Sequence, residues 1–256
     1  MKLADLSLAL DGKAAVVTGA SRGLGKAISL ALARAGANVV CAARSEKELQ
    51  EITEEIKSYG RQAIYVVVDI SKPKDVAELA EKSVSKFGNV QILVNNAGII
   101  LTKPVIETTE EEWRKIIDIN LTGTFLCTKT IGRHMIENRY GKIINISSSF
   151  GLIGVPLHSA YCASKAALIE LTKCLAVEWA KYNINVNSIA PGYFDTAIPA
   201  PALSVQKLKD AILASIPLRR IADPKELGAL VVYLASPASD YMTGETIVID
   251  GGLAVK

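Results

Sequence analysis

Three side chains near the middle of this chain could together move a proton. Tyr161 and Lys165 stand four residues apart in SAYCASKAALIELTKCLAVEWA, a run that reads as a helix. That spacing stacks both side chains on one helix face. A free phenol titrates at about 10 and is a poor acid or base near neutrality. An ammonium beside it favours the phenolate and draws that value toward working pH. Ser148 lies thirteen residues before Tyr161, at the end of KIINISS, which reads as a buried strand. A hydroxyl there could hold a substrate oxygen while the phenol gives or takes its proton. Taken alone, a Tyr and a Lys at this spacing are ordinary residues of an amphipathic helix, so the elements around them must decide their meaning.

Those elements alternate. Ala14 to Val17 is a short buried-strand run, followed by the glycine-rich stretch Thr18 to Gly25 and then a helical pattern closed by Gly36. The glycines are Gly19, Gly23 and Gly25, a TGxxxGxG and not the commoner GxGxxG. In a strand–turn–helix context such glycines let the backbone approach a pyrophosphate, whose charge the helix N-terminus favours. Further strands are expected at 38–43, 63–68, 91–94, 142–146, 183–190 and 245–250, with helical patterns between them. The alternation predicts an α/β fold: one doubly wound, parallel, seven-stranded sheet with helices on both faces, formed by a single domain over residues 1–256. In such sheets ligands bind at the carboxyl ends of the strands. Thr108 and Thr109 precede one long helix, expected from Glu110 to Glu137, with Asn120 inside it. Residues 193–215, with Pro199 and Pro201 and a short helical stretch, read as a mobile substrate lid.

Composition narrows the function classes. The 256 residues are 50% hydrophobic and 21% charged, with a net charge of +3 and no basic block, which argues against a nucleic-acid partner. No apolar stretch reaches about 18 residues without a charge, so no membrane span is expected. Met1 to Lys13 carries Asp5 and Asp11 and lacks the apolar centre of a secretory signal, which places the protein in the cytoplasm. Cys41, Cys127, Cys162 and Cys174 form no CxxC pair and lie in apolar segments, as buried reduced thiols would. His134 and His158 are too few and too scattered for a metal site, so none is expected.

Taken in order, Thr18 to Gly25, Asp69, Asn95-Asn-Ala-Gly98, Asn120, Ser148, Tyr161-x-x-x-Lys165, Pro191-Gly192 and Asp250-Gly-Gly252 resemble the short-chain dehydrogenase/reductase family over essentially the whole length. The resemblance implies a Rossmann-type sheet and hydride transfer between a nicotinamide and a carbonyl or secondary alcohol. It makes Tyr161 the general acid/base and has Lys165 lower its pKa and bind the nicotinamide ribose. Ser148 would position the substrate oxygen, and Asn120 would hold a water that continues the proton path. Gly19, Ser21, Arg22, Gly23, Leu24 and Gly25 would cradle the cofactor, with Arg44 beside them. Asp69 and Ile70 would meet the adenine, and Asn96, Ala97 and Gly98 would line the floor. Pro191, Gly192, Phe194 and Thr196 would contact the nicotinamide end. Asn95 and Asn96 read equally as strand-end caps, and Asp250-Gly-Gly252 as a structural turn. Ser147 and Ser149 flank Ser148, and the family's spacing from Tyr161 selects the middle one.

Within the family two subgroups look closest, the 3-oxoacyl-carrier-protein reductases and the gluconate 5-dehydrogenases with related sugar and polyol reductases. The ending DGGLAV and the segment EWAKYNINVNSIAPGY lean to the second. An acidic carrier protein needs basic residues near the site mouth, which Arg139 and Lys181 could supply, although Tyr182 stands where carrier-dependent members often have a basic residue. The apolar lid suits an acyl chain or hydrophobic ketone better than a sugar. A carbonyl reductase is the reading these clues share, with a sugar or polyol dehydrogenase, or an NADP(H)-sensing binding module, as alternatives. Family members are commonly tetramers, and the apolar character of the Asn120 and Tyr161 helices on more than one face agrees with a homotetramer.

Cofactor choice is readable at the end of the second strand. NAD-specific members of this fold place an acid there, whereas this chain has Ala43 followed by Arg44. A neutral residue leaves room for the 2′-phosphate of NADP, and the planar forks of Arg44 and Arg22 can meet it. Charge-assisted contacts are worth roughly 1.5–3 kcal/mol each, so Ala43→Asp with Arg44→Ile is expected to lower kcat/KM for NADPH more than about tenfold and swing preference to NADH. Steady-state kinetics with both cofactors check this, and a wild type that already prefers NADH sinks the assignment.

Overall fold

A computed structural model describes the chain from residue 7 to residue 255. Residues 1–6, read above for their charge, and Lys256 lie outside it, as do the side chains of Pro201 and Ala202. The strands are β1 (Ala14–Thr18), β2 (Asn38–Ala43), β3 (Ala63–Val67), β4 (Ile92–Asn95), β5 (Gly141–Ile146), β6 (Ile184–Pro191) and β7 (Thr246–Ile249). They form a 7-stranded sheet in the order β3-β2-β1-β4-β5-β6-β7, with parallel pairing at each junction. The chain reverses its direction of winding between β3 and β4, because β4 returns to pair with β1. Strand limits differ by a residue from those read in the sequence, and β6 continues through Pro191, whose partner is Ile249.

Alternation along the strands splits the core in two. Ala15, Val17, Val39 and Cys41 point to one face with Ile28 and Leu32 of α1 (Gly23–Arg34), Ile52 of α2 (Glu46–Ser58) and Val231 of α9 (Lys225–Ala235). Val16, Val40 and Leu93 point to the other, against Leu79 of α3 (Pro73–Phe87), Ile131 and Met135 of α5 (Gly123–Glu137) and Trp179 of α6 (Ser159–Trp179). Each fully buried Leu, Ile or Val contributes about 1.5–3 kcal/mol, so both faces are held by the same apolar force.

Two sequence expectations need correction. The single helix from Glu110 to Glu137 is instead α4 (Glu110–Ile117), a π-helical turn (Asp118–Thr122) and α5. Thr109 and Glu112 close a reciprocal capping box at the start of α4, as the acid-rich first turn favours. The π-turn inserts one extra residue per turn where Asn120 sits, and hydropathy patterning cannot register that shift. The cysteines also divide: Cys41 and Cys127 are buried, but Cys162 is half-buried and Cys174 exposed. The run LTKCLAVEWA is mostly apolar, yet its helix turns Cys174 outward.

The glycine-rich turn between β1 and α1 is fixed by contact. A Cβ on Gly25 would lie 2.0 Å from the Gly19 carbonyl oxygen and 2.6 Å from Asn96 Nδ2. Gly19 itself has φ +65, a left-handed conformation that glycine adopts without strain. Gly25→Ala must therefore force apart the turn and β4, and is expected to cost roughly 3 kcal/mol or more of stability. Thermal unfolding of the purified variant measures this; an unchanged Tm would show that the turn yields freely.

Candidate active site

The site forms where β1, β4, β5 and β6 end. Thr18, the last residue of β1, is buried and its hydroxyl accepts the backbone N–H groups of Asn96 (3.0 Å) and Ala97 (3.1 Å). Asn96 Nδ2 returns a bond of 2.9 Å to the Thr18 carbonyl and one of 3.2 Å to Gly19. Asn96 thus fastens the glycine-rich turn to the end of β4. Asn95 points the other way, into a buried chain in which its Nδ2 donates to Thr128 and Asn145 and Asn145 Nδ2 donates to Thr172. The two adjacent asparagines do different work that their identity alone could not separate.

At the end of β5 the three serines also separate by geometry. Ser147 Oγ donates to the Ile189 carbonyl at 2.8 Å and accepts Ser188 Oγ at 2.7 Å, so it locks β5 to β6. Ser149 Oγ is buried without a hydrogen-bond partner among the described residues. Ser148 Oγ accepts the Phe150 N–H at 3.1 Å and stands near enough to the Tyr161 phenol to oppose the rise of its pKa. Of the three serines, Ser148 is the one that bears on the Tyr161 phenol.

α6 presents Tyr161 and Lys165 one turn apart, 9% and 4% exposed. Lys165 Nζ lies 5.8 Å from the Tyr161 ring centroid and donates to the Ile146 carbonyl at 2.7 Å. Burial pushes the Lys165 ammonium down to about 8. Burial likewise pushes the Tyr161 phenol up to about 12, a rise that the Ser148 hydroxyl opposes. The phenol is thus raised and not lowered as expected, because desolvation of the phenolate dominates. Tyr161 is a protonated acid throughout the neutral range.

Asn120, carried inward by the π-turn, is fully buried. Its Oδ1 accepts the Ile99 N–H at 2.8 Å, while its Nδ2 donates to the Ile99 carbonyl at 2.9 Å and to Ser164 Oγ at 3.0 Å. These bonds tie the loop after β4 to α6. A Cβ on Gly98 would sit 3.3 Å from Asn120 Oδ1 and 3.5 Å from Lys165 Nζ, so Gly98 keeps this junction open.

A cleft of about 840 Å³ runs over these groups. Ser148, Tyr161 and Lys165 line it, as do Gly19, Ser21, Arg22, Gly23, Leu24, Gly25, Arg44, Asp69, Ile70, Asn96, Ala97, Gly98, Pro191, Gly192, Phe194 and Thr196. Asn120 stands behind the lining. At the glycine-rich end α1 begins at Arg22 with no side-chain cap and no acid in its first turn, which leaves its N–H groups to the cleft. Exposed Arg22 and Arg44 make no salt bridge with any described residue. Asp69 Oδ1 accepts the Ser71 N–H and hydroxyl, which with Lys72 and Arg44 nearby hold its carboxyl below the usual range.

A family model described as enoyl-(acyl carrier protein) reductase matches residues 19–254, the span that holds this cleft. The chain belongs to the short-chain dehydrogenase/reductase family. It is 38% identical to the 3-oxoacyl-(acyl-carrier-protein) reductase of Thermotoga maritima, over 96% of this chain and 99% of that protein. It is 41% identical to the 2-dehydro-3-deoxy-D-gluconate 5-dehydrogenase of Dickeya dadantii, over 95% and 96%. Among solved structures, a gluconate 5-dehydrogenase from Burkholderia cenocepacia in complex with NADP and tartrate superposes with a TM-score of 0.94 at 34% identity, covering 99% of each chain. As a short-chain dehydrogenase/reductase the protein is an oxidoreductase acting on a carbonyl or its alcohol.

Several lining residues escaped sequence reasoning. Phe150 and His158 lie beside the motif serine and tyrosine, and nearness in sequence was the available signal. Leu253 reaches the cleft because Asp250 accepts the Gly252 and Ala254 N–H groups at 2.8 Å each and folds the C-terminal turn inward. Arg139 and Lys181 require a correction of the opposite kind. They precede β5 and β6, so within one chain they lie at the amino edge of the sheet, away from the cleft. Strand direction, which composition does not carry, decides this.

The lysine value sets a pH limit. A group held at about 8 is an ammonium below that pH and loses its proton above it. Ketone reduction needs the positive charge beside a protonated phenol, so kcat/KM is expected to be flat near neutrality and to fall as pH rises through about 8. A pH–rate profile tests this; a profile still flat two pH units higher would remove Lys165 from electrostatic work.

Proposed function

We propose that this protein reduces a ketone to a secondary alcohol with NADPH, using Ser148, Tyr161 and Lys165 at the floor of the cleft. The observation that carries the reading is the convergence of a buried phenol, a neighbouring serine hydroxyl and a buried ammonium on one cleft that also holds a glycine-rich turn. The cofactor is NADP(H). The cleft fits it: an uncapped helix start and close-packed glycines suit a pyrophosphate, and two unpaired arginines beside Ala43 suit a 2′-phosphate. When bound, NADP(H) supplies or accepts the hydride.

The chain's own residues handle the oxygen. Ser148 Oγ donates to the substrate oxygen and holds it beside the phenol. Tyr161 gives that oxygen its proton as the carbonyl carbon is reduced, and takes it back in the alcohol direction. Lys165, fixed by the Ile146 carbonyl, stabilises the phenolate that remains. Asn120 positions Ile99 and α6 and supports a water-borne path for proton return. Residues 193–215, comprising α7 (Ala200–Leu203) and α8 (Gln206–Ser215), act as a lid, a reading supported by Ile198, Leu208 and Ile212 on the cleft wall.

The relatives' names divide between a thioester-linked ketone and sugar acids, so they share only the carbonyl chemistry. The proposal extends to a cytoplasmic homotetramer. Four free cysteines and exposed apolar side chains on α5 and α6, with Phe125 45% and Val177 84% exposed, support it. No helix among the described residues is long and apolar enough to cross a membrane.

Tyr161→Phe deletes the proton while keeping the ring. It is expected to lower kcat by at least about 100-fold and leave NADPH affinity nearly unchanged. Turnover with a ketone panel and NADPH fluorescence titration together test this, and near-normal turnover would strip Tyr161 of its role.

A further inference from the structure

We propose that the natural substrate is a neutral, largely apolar ketone, cyclic or aryl in shape, with at most one further neutral hydrogen-bonding group, and not a sugar acid. This rests on the carbonyl-reductase reading above. The cleft divides at Tyr161. Its charged lining residues are Arg22, Arg44 and Asp69 at the glycine-rich end and Lys165 behind the phenol. Lys165 is 4% exposed and is anchored through one N–H to the Ile146 carbonyl at 2.7 Å. Beyond Tyr161 no described lining residue carries a fixed charge.

What stands there is aromatic and aliphatic. The Phe150 ring meets three others edge-on, with centroids 5.4 Å from His158, 6.3 Å from Tyr161 and 5.9 Å from Tyr193. Ile153, Val155, Leu157, Ile198, Leu208 and Ile212 also line this wall, beside the hydroxyl-bearing Ser149, Tyr193 and Ser215. Lys103, close in sequence to this wall, is held by both carboxylate oxygens of Glu112 at 3.0 and 2.8 Å.

His158 is fixed against this wall by contacts at both ring nitrogens. Nδ1 lies 2.7 Å from the Pro156 carbonyl, which only accepts, so Nδ1 carries the hydrogen. Nε2 lies 3.1 Å from Thr102 Oγ1, a hydroxyl that can give or take a hydrogen. The pair is braced by the Lys103 N–H bonded to the Leu157 carbonyl at 2.8 Å, which joins the two loops. Thr102 and His158 thus form one polar spot in a mostly apolar wall. A carboxylate here would lose its water and meet no lysine or arginine among the described lining residues, and the many hydroxyls of a polyol would face mostly apolar side chains. A flat apolar ring instead meets ring edges and methyl groups.

A matched pair isolates the charge. Wild-type enzyme saturated with NADPH is given methyl 4-oxocyclohexanecarboxylate or the free 4-oxocyclohexanecarboxylate at neutral pH, with 5-ketogluconate alongside. The ester is expected to exceed the acid in kcat/KM by about 30-fold, the scale of an unpaired charge losing its water, with 5-ketogluconate below both. An acid within about threefold of the ester, or 5-ketogluconate as the best of the three, overturns the proposal. If none is turned over, calorimetry on the NADPH-loaded enzyme decides: binding of the ester alone supports it, and preference for the acid, or binding of neither, overturns it. Ile153→Arg, with Val155→Lys as a second variant, places a cation in the wall. Each is expected to raise the acid-to-ester ratio by about tenfold or more at unchanged NADPH affinity, and an unmoved ratio in both correctly folded variants counts against the wall. Failure of the wild type to bind NADPH would instead defeat the carbonyl-reductase reading, so the two failures are distinguishable.

Discussion

The buried ammonium of Lys165 is the interaction on which the site depends. An unpaired charge in an apolar interior is strongly unfavourable, and this one is 4% exposed with the Ile146 carbonyl as its hydrogen-bond partner. It therefore joins the first turns of α6 to the last residue of β5. Tyr161 inherits its place from that helix, and Ser148 inherits its place from that strand. The same desolvation that fixes the lysine lowers its pKa and raises that of the phenol. Burial thus prepares a protonated acid beside an ammonium near its own titration point.

Packing around this pair leaves little slack. Gly98 lies against Asn120 and Lys165, and a Cβ on Gly151 would come 2.8 Å from the Lys165 carbonyl carbon. Asn120 bridges Ile99 and Ser164 only because the π-turn rotates it inward. On the cofactor side, Asn96 performs the equivalent service by tying β4 to the glycine-rich turn. These ties consume polar groups that would otherwise be orphaned in the interior. Structural economy and catalytic geometry are here the same set of bonds.

The cleft expresses a division of labour along its length. Its cofactor end presents backbone and cationic groups to phosphates, whereas the far end presents rings and aliphatic side chains. The family's chemistry requires the first and the middle. The far end is free to vary, and relatives of this chain carry names that speak of quite different substrates. Its composition is therefore where the identity of this protein's own substrate is written.

Local sequence alone determined a good deal. Alternation of apolar runs with helical patterns is a short-range property, and it specified a parallel α/β sheet. The order of glycine-rich turn, Ser148 and Tyr161-x-x-x-Lys165 carried the family resemblance and placed Tyr161 and Lys165 on one helix face, since i and i+4 side chains share it. Ala43 and Arg44 could be read for cofactor choice because strand ends face the ligand. Tertiary structure decided what depends on residues far apart in the chain. It separated Ser148 from its neighbours by the reach of Tyr161, and Asn96 from Asn95 by the direction each side chain takes from β4. It broke the long helix at Asn120, since one inserted residue leaves hydropathy unchanged while rotating every later side chain. It moved Arg139 and Lys181 to the far edge, exposed Cys174, and brought Leu253 to the cleft. Each of these follows from the desolvation of particular groups in a packed interior, a cost set by neighbours that a linear reading does not contain.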